Sequence, residues 1–220
     1  MGWARKNGVI VKDGCYLVPI TPNEYEADVY ALTPRVLRNK IELYMNHRPL
    51  LIPVARGGYR TFLPFHGEFR AQLGVNDHTS DVPFASITIT TYDKAAINSR
   101  GESHIDDQDV QRALTMLRQC SEGILLDDVC DSATTISVLK GMLSPAGKPL
   151  VTVTPHIKPE NHPIEKRPDF WLREFYSIKI DGQTYPIWIV YPHEREDHQE
   201  PGLWQALFPY LNENLDATRV

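Results

Sequence analysis

The residues with the most chemical content follow a short apolar run. Gly123-Ile124-Leu125-Leu126 reads as a buried strand and ends in two adjacent carboxylates, Asp127 and Asp128. A third, Asp131, comes after Val129-Cys130, and small or hydroxylated residues follow it: Ser132, Ala133, Thr134 and Thr135. Ile136, Leu139 and Leu143 then recur at helical spacing. A strand, an acidic turn, a hydroxyl-rich loop and a helix, in that order, build a site at the carboxyl end of a parallel strand. The start of the helix offers free backbone N–H groups and the positive end of a dipole, which suit a phosphate. Asp127 and Asp128 suit ribose hydroxyls and a magnesium ion. One loop can therefore hold the sugar side and the phosphate side of a sugar phosphate.

Three other stretches carry chemistry. Pro53-Val54-Ala55 runs into Arg56-Gly57-Gly58, which sets a fixed cation and unhindered backbone N–H groups at one sheet edge. That combination can cradle a pyrophosphate. Residues 92–104, opening on Tyr92-Asp93, are polar and almost without core residues, the texture of a lid. Lys158-Pro159 and, later, Ile187-Trp188-Ile189-Val190 supply a donor for an exocyclic carbonyl, a ring that can stack on a flat base and a backbone for its edge. The eight histidines are scattered without zinc-ligand spacing, and neither a Walker loop nor a Gly-x-Ser-x-Gly elbow occurs.

These residues need elements to position them. Residues 9–18 read as a hairpin turning at Asp13-Gly14. Residues 23–46 are helical in pattern, with Pro34 interrupting the helix or opening its second part. Leu50–Val54 is a buried strand, residues 59–73 a helix with Pro64 as a flaw, residues 84–91 a β-branched alternating strand, residues 110–119 a short helix, and residues 150–154 another strand. The alternation predicts an α/β fold, a mostly parallel sheet flanked by helices. After Pro155 prolines cluster and a second hairpin signal, Asp181-Gly182, appears, so a small C-terminal hood lobe is expected. The division follows as an N-terminal hairpin extension (1–22), an α/β core (23–154), and a base-binding lobe with tail (155–220).

The signature segment resembles that of the type I phosphoribosyltransferases, whose loop usually reads Asp-Thr-Gly-Gly-Thr; here it is Asp131-Ser132-Ala133-Thr134-Thr135. Ala55-Arg56-Gly57-Gly58 is similar to the pyrophosphate loop of the purine branch. Thr90-Thr91-Tyr92-Asp93 is similar to the opening of the lid in bacterial xanthine-guanine enzymes. Lys158-Pro159 followed by Trp188-Ile189 resembles their purine pocket, with His193 in place of a Trp. The resemblance covers roughly residues 45–195. It implies transfer of phosphoribosyl from phosphoribosyl pyrophosphate to xanthine, guanine or hypoxanthine, a purine-salvage step that needs Mg2+ and releases pyrophosphate. It implies Asp131 near N7 of the base as the catalytic residue. It places Asp127 and Asp128 on ribose and metal, residues 132–135 on the 5′-phosphate, and Arg56 and Gly57 on pyrophosphate. Lys158 would meet the 6-oxo group, Trp188 would stack, Ile189 would offer its backbone, and Glu194 would help organise the metal. A homo-oligomer is implied as well. Where the family has Gly-Gly, a positive φ at Thr134 would be strained. Two alternatives stand beside this reading: a non-catalytic sensor of phosphoribosyl pyrophosphate or nucleotides, and an orotate or uracil enzyme. Lys158 and Trp188 favour a purine.

Bulk properties limit the remaining classes. A net charge of −5 and a pI near 5.9 argue against a general nucleic-acid binder. The odd number of cysteines, Cys15, Cys120 and Cys130, has no metal-ligand spacing and fits a reducing, cytoplasmic setting. The first residues lack a signal-peptide apolar region, and no apolar run approaches the roughly 20 residues of a membrane span.

Overall fold

Three Asx-Gly pairs place the hairpins of this chain. Asn7-Gly8, Asp13-Gly14 and Asp181-Gly182 all take positive φ at both positions, the backbone of a two-residue turn whose twist matches that of the flanking strands. The structure, a computed structural model, describes residues 3–38, 40–55, 57–74, 82–90, 104–191, 194 and 200–209. In chain order the strands are β1 (Ala4–Lys6), β2 (Val9–Lys12), β3 (Cys15–Pro19), β4 (Leu50–Ala55), β5 (Ile87–Thr90), β6 (His104–Ile105), β7 (Gly123–Leu126), β8 (Val129–Cys130), β9 (Leu150–Val153), β10 (His156–Ile157), β11 (Arg173–Glu174), β12 (Ile178–Ile180), β13 (Gln183–Tyr185) and β14 (Ile187–Val190). The helices are α1 (Pro22–Leu37), α2 (Ile41–Asn46), α3 (Gly57–Gln72), α4 (Asp107–Leu117), α5 (Thr134–Leu143) and α6 (Leu203–Leu207). Among the described residues no helix is long and apolar enough to cross a membrane.

The chain divides into two units. The larger, Asp28–Glu174, is built on a five-stranded sheet of order β6-β5-β4-β7-β9, parallel except for β6 at the edge. β7 is buried along its whole length and β4 along all but its last residue, as strands covered on both faces must be. Leu50, Ile52 and Val54 pack with Val110, Ala113, Leu114 and Leu117 of α4 and Leu139 and Leu143 of α5. α3 packs on β4 and β7 and buries Phe62, Phe65 and Phe69. Both suspect prolines lie inside helices. Pro34 neither ends α1 nor opens a second helix; the break comes only after Leu37. Pro64 sits in mid α3, where burial of three phenylalanines outweighs the roughly 3 kcal/mol a helical proline costs. The strand expected over residues 84–91 is shorter: β5 begins at Ile87, and Phe84 makes only an isolated bridge to Leu51.

The smaller unit joins Met1–Ala27 to Phe175–Val220. β1, β2 and β3 form an antiparallel meander, and β14 adds to β3 in parallel, with Trp188 opposite Leu17 and Ile189 opposite Val18. The N-terminal hairpin therefore shares a sheet with the strand that carries Trp188. The division between the two units falls at 27/28 and 174/175. A parallel pairing between strands some 170 positions apart leaves no local signal in the sequence.

Candidate functional site

Parallel pairing puts the carboxyl ends of β4, β7 and β9 side by side, with Pro53 opposite Leu126 and Leu126 opposite Val153. The loops leaving those ends carry most of the candidate residues of the larger unit. α3 starts at Gly57, directly against the acidic turn. A Cβ on Gly57 would lie 2.2 Å from the carboxyl carbon of Asp128, and one on Gly58 would lie 2.2 Å from the Leu126 carbonyl oxygen. Only glycine lets the start of α3 approach the turn this closely. Thr61 Oγ1, one helical turn on, donates to the Asp127 carbonyl at 2.9 Å. Gly57 and the Asp128 carboxylate thus lie against one another, although they are about 70 positions apart.

The two carboxylates differ in their electrostatics. Burial lifts Asp127 well above the usual carboxylate range, and the adjacent Asp128 charge adds to the shift; the Asp128 N–H, 3.0 Å from Asp127 Oδ1, opposes it. Adjacent carboxylate oxygens, one of them costly to ionise, are the hard donor set that Mg2+ takes, with phosphate oxygens and water completing the shell. The residues present therefore fit the ion. Among the described residues no third His, Cys, Asp or Glu gathers with them.

The loop to α5 resolves the question posed by its missing glycines. Ala133 takes φ 57°, ψ 8°, the left-handed region, and caps α5, while Thr134 is the first helical residue. The strain falls on Ala133 rather than on Thr134, as the sequence had suggested. Its methyl is buried with Cys130, Ile136 and Ile157, with Trp171 packed against them. Ala133 gives α5 no side-chain cap, so the first N–H groups of the helix remain for a ligand. Ser132 Oγ donates to Thr134 Oγ1 at 3.0 Å. Behind the loop, Cys130 Sγ lies 3.5 Å from His162 Nε2. Burial pushes the Cys130 thiol up to about 12; the Ala133 N–H pulls it back, and the Asp127 and Asp131 charges add to it. Cys130 is thus a neutral packing thiol under the loop.

Asp131 is half exposed and already engaged. Lys158 Nζ donates to its Oδ2 at 2.9 Å, and the Asn161 amide donates to Oδ1. Lys158 is tied to the same segment by its own N–H, which donates to the Cys130 carbonyl at 3.0 Å. The sequence reading missed Asn161. Its signal is Pro159, which opens a single 3-10 turn (Pro159–Asn161) and brings position 161 round beside position 158. Further along the same segment His156 Nε2 and Arg173 Nε both contact the buried Asp28 carboxylate, at 2.9 and 2.8–2.9 Å. That cluster fixes β10 and β11 to α1.

Trp188, Ile189 and Glu194 belong to the smaller unit. Trp188 is half-buried and packs against the cluster of Ile10, Leu17, Val190, Leu203 and Trp204. The Pro186 and Val190 carbonyls accept from Tyr16 and Ile20 of the β3 side. By the alternation of a parallel ladder, Ile189 turns its N–H and C=O away from β3, toward the edge of the sheet that no strand covers among the described residues. Glu194 Oε2 accepts from the Tyr191 N–H at 2.9 Å, and the Glu194 N–H donates to the Tyr191 carbonyl. Arg56, Tyr92, Asp93 and His193 lie outside the described residues.

No protein-family model matches the sequence, and no curated protein sequence matches it. Solved structures do match. A purine phosphoribosyltransferase from Pyrococcus horikoshii is 20% identical, with a TM-score of 0.52, over 80% of this chain and 92% of its own. The xanthine-guanine-hypoxanthine phosphoribosyltransferase of Helicobacter pylori gives 13%, 0.50, 83% and 96%. The chain has the type I phosphoribosyltransferase fold. A Neisseria gonorrhoeae protein solved with ppGpp bound is also similar, at 18% identity and a TM-score of 0.54 over 80% of this chain and 88% of its own. Within this phosphoribosyltransferase fold, the loops of the larger unit that carry chemistry leave the carboxyl ends of β4, β7 and β9, the edge where open α/β sheets bind ligands.

Proposed function

We propose that the protein is a magnesium-dependent phosphoribosyltransferase that joins an oxopurine to phosphoribosyl pyrophosphate. The observation that carries this reading is the contact of Gly57 with the Asp128 carboxylate, beside a loop that opens α5 at Ala133. A nest of glycine N–H groups, a carboxylate pair and a free helix start on one edge match pyrophosphate, ribose and 5′-phosphate in turn.

In the reaction the C1–oxygen bond to pyrophosphate breaks, a bond from C1 to N9 of the base forms, and the base gives up one proton. Asp127 and Asp128 hold the ribose hydroxyls and would hold Mg2+, which when bound supplies positive charge to the leaving pyrophosphate. Arg56 and Gly57 bind the pyrophosphate; Ser132, Ala133, Thr134 and Thr135 bind the 5′-phosphate through hydroxyls and the α5 N–H groups. Asp131 accepts the proton at N7. Each carboxylate oxygen has more than one lone-pair site, so the bonds from Lys158 and Asn161 orient Asp131 without blocking it. An ammonium has three donors, so Lys158 can keep Asp131 while reading a 6-oxo group. By the resemblance of Lys158-Pro159 and Trp188-Ile189 to the family's purine pocket, Trp188 would stack on the base and Ile189 would meet its edge through the backbone. The lid opening at Tyr92-Asp93 excludes water from the cation-like sugar. Catalysis is mainly positioning and electrostatics.

The test is turnover of hypoxanthine, guanine, xanthine and adenine with phosphoribosyl pyrophosphate and Mg2+, reading monophosphate and released pyrophosphate. The reading expects oxopurine monophosphates and little from adenine. Tight binding of phosphoribosyl pyrophosphate with no turnover of any purine would replace it with a sensor of the same ligand.

A further inference from the structure

The opposite edge of the large sheet carries a second cluster of charge. Leu50, Gly123 and Leu150 stand in register at the amino ends of β4, β7 and β9. β4 has six residues and spans about 20 Å, so this edge lies a full strand length from Asp127 and Asp128. A cleft of about 500 Å3 opens there, between the end of α2, the connection from α4 to β7, and the entrance to β9. His47, Arg48 and Lys148 line it, and among the described residues no carboxylate does. We infer that this cleft binds a phosphorylated small molecule.

Arg48 Nη1 is buried and has no hydrogen-bond partner. Among the described residues Arg48, Lys148 and His47 make no ion pair. Glu122, next to Ser121 in the sequence, is committed elsewhere: its carboxylate takes Lys40 Nζ at 2.7 and 2.9 Å and the Tyr44 hydroxyl. Glu122 therefore does not offset the positive charge of the cleft. Lys148 acts on the wall itself, since its ammonium pulls back a Cys120 thiol that burial raises. The carboxyl ends of α2 and α4 point at this edge and oppose an anion, but several of their last carbonyls are occupied. Leu43 O accepts from His47, Leu114 O from Arg118, and Leu117 O from Cys120.

The chemical class follows from the donors. A guanidinium with a buried Nη1 and a second cation, Lys148, match the two charges and several oxygens of a phosphate better than a carboxylate. The cleft is larger than a phosphate group, and Leu43 and Gln119 offer an apolar and a polar wall to the rest of the molecule.

The test is nuclear magnetic resonance of the 15N-labelled full chain, titrated with inorganic phosphate, phenyl phosphate and acetate. The local readout separates this cleft from the loops at the other sheet edge, so it stands whether or not transferase activity is found. Saturable amide shifts at His47, Arg48, Gln119, Ser121 and Lys148 are expected, tighter for phenyl phosphate than for inorganic phosphate. Lys148→Met should weaken binding about tenfold and Arg48→Met at least as much. If Arg48→Met fails to fold, the partly exposed Lys148 carries the test. The inference is overturned if those amides do not move at millimolar phosphate, if acetate binds as well as phosphate, or if Lys148→Met leaves the affinity unchanged.

Discussion

A Cβ built on Gly57 would lie 2.2 Å from the carboxyl carbon of Asp128. Gly58 is as tightly placed, but against the Leu126 backbone carbonyl. The two neighbours therefore predict different losses. Gly57→Ala pushes aside a side chain, so it should displace the Asp128 carboxylate, raise the KM for phosphoribosyl pyrophosphate and change thermal stability little. Gly58→Ala meets backbone that cannot yield, and overpacking of that kind typically costs ~1–3 kcal/mol. Scanning calorimetry and steady-state kinetics on both variants check this. Equal stability losses would mean that the Asp128 side chain is held as firmly as the backbone.

The raised Asp127 carboxyl makes a prediction about pH and metal. It binds its proton more tightly in the folded chain than in the unfolded one, so its contribution to stability is present at low pH. That contribution is lost as pH rises from about 4 through the folded value. At neutral pH the unfolded chain holds this carboxyl ionised in water, so burying it is a cost. Asp127→Asn keeps the oxygen that accepts from the Asp128 N–H and removes the charge. The metal-free variant should melt higher than wild type at pH 7, by roughly 2–4 °C for each kcal/mol relieved. Mg2+ should raise the wild-type midpoint more than the variant's, while turnover falls. A variant that melts lower, or that responds equally to Mg2+, contradicts this account.

Asp131, Lys158 and Asn161 should separate into three kinetic phenotypes. Asp131→Asn loses proton acceptance, typically worth ~10²–10⁴-fold in rate, with little change in phosphoribosyl-pyrophosphate affinity. Lys158→Met should lose discrimination against adenine, because an unmatched donor at the 6-position is what rejects it. Asn161→Ala frees one oxygen of Asp131 and should lower kcat for every oxopurine alike without altering their ranking. Base profiles of the three variants decide. An Asp131→Asn enzyme at full activity, or an Asn161→Ala enzyme that changes base preference, would remove the assigned roles.

Ala133 in the left-handed region carries about 1–2 kcal/mol of strain. Ala133→Gly relieves it but gives up a buried methyl, worth ~0.8 kcal/mol, and loosens the unfolded chain by ~0.4–1 kcal/mol. The two sides nearly cancel, so stability should move by less than about 1 kcal/mol. Ala133→Val puts a β-branched residue at positive φ and should be clearly destabilising. Calorimetric titration with a purine monophosphate should show unchanged affinity for Ala133→Gly, and for wild type a much tighter fit than the nucleoside. A large gain in affinity on Ala133→Gly would show that the methyl distorts the phosphate loop.

Local patterns were enough for the parts of this protein whose physics is local. The apolar run Gly123–Leu126 before Asp127 had to be a covered strand. Asp13-Gly14 and Asp181-Gly182 had to turn. Ile136, Leu139 and Leu143 had to share a helix face. With the strand–helix alternation, these made the α/β class and the carboxylate loop legible. The tertiary structure alone decided what depends on pairing at long range. It put Gly57 on Asp128, paired Asp131 with Lys158 and Asn161, and moved the positive φ to Ala133. It also joined the N-terminal hairpin to the Trp188 strand. A residue's neighbours in the sequence set its backbone preferences, but which distant strand it pairs with is set by the burial of both faces of a sheet. That term belongs to the whole chain and to no segment of it.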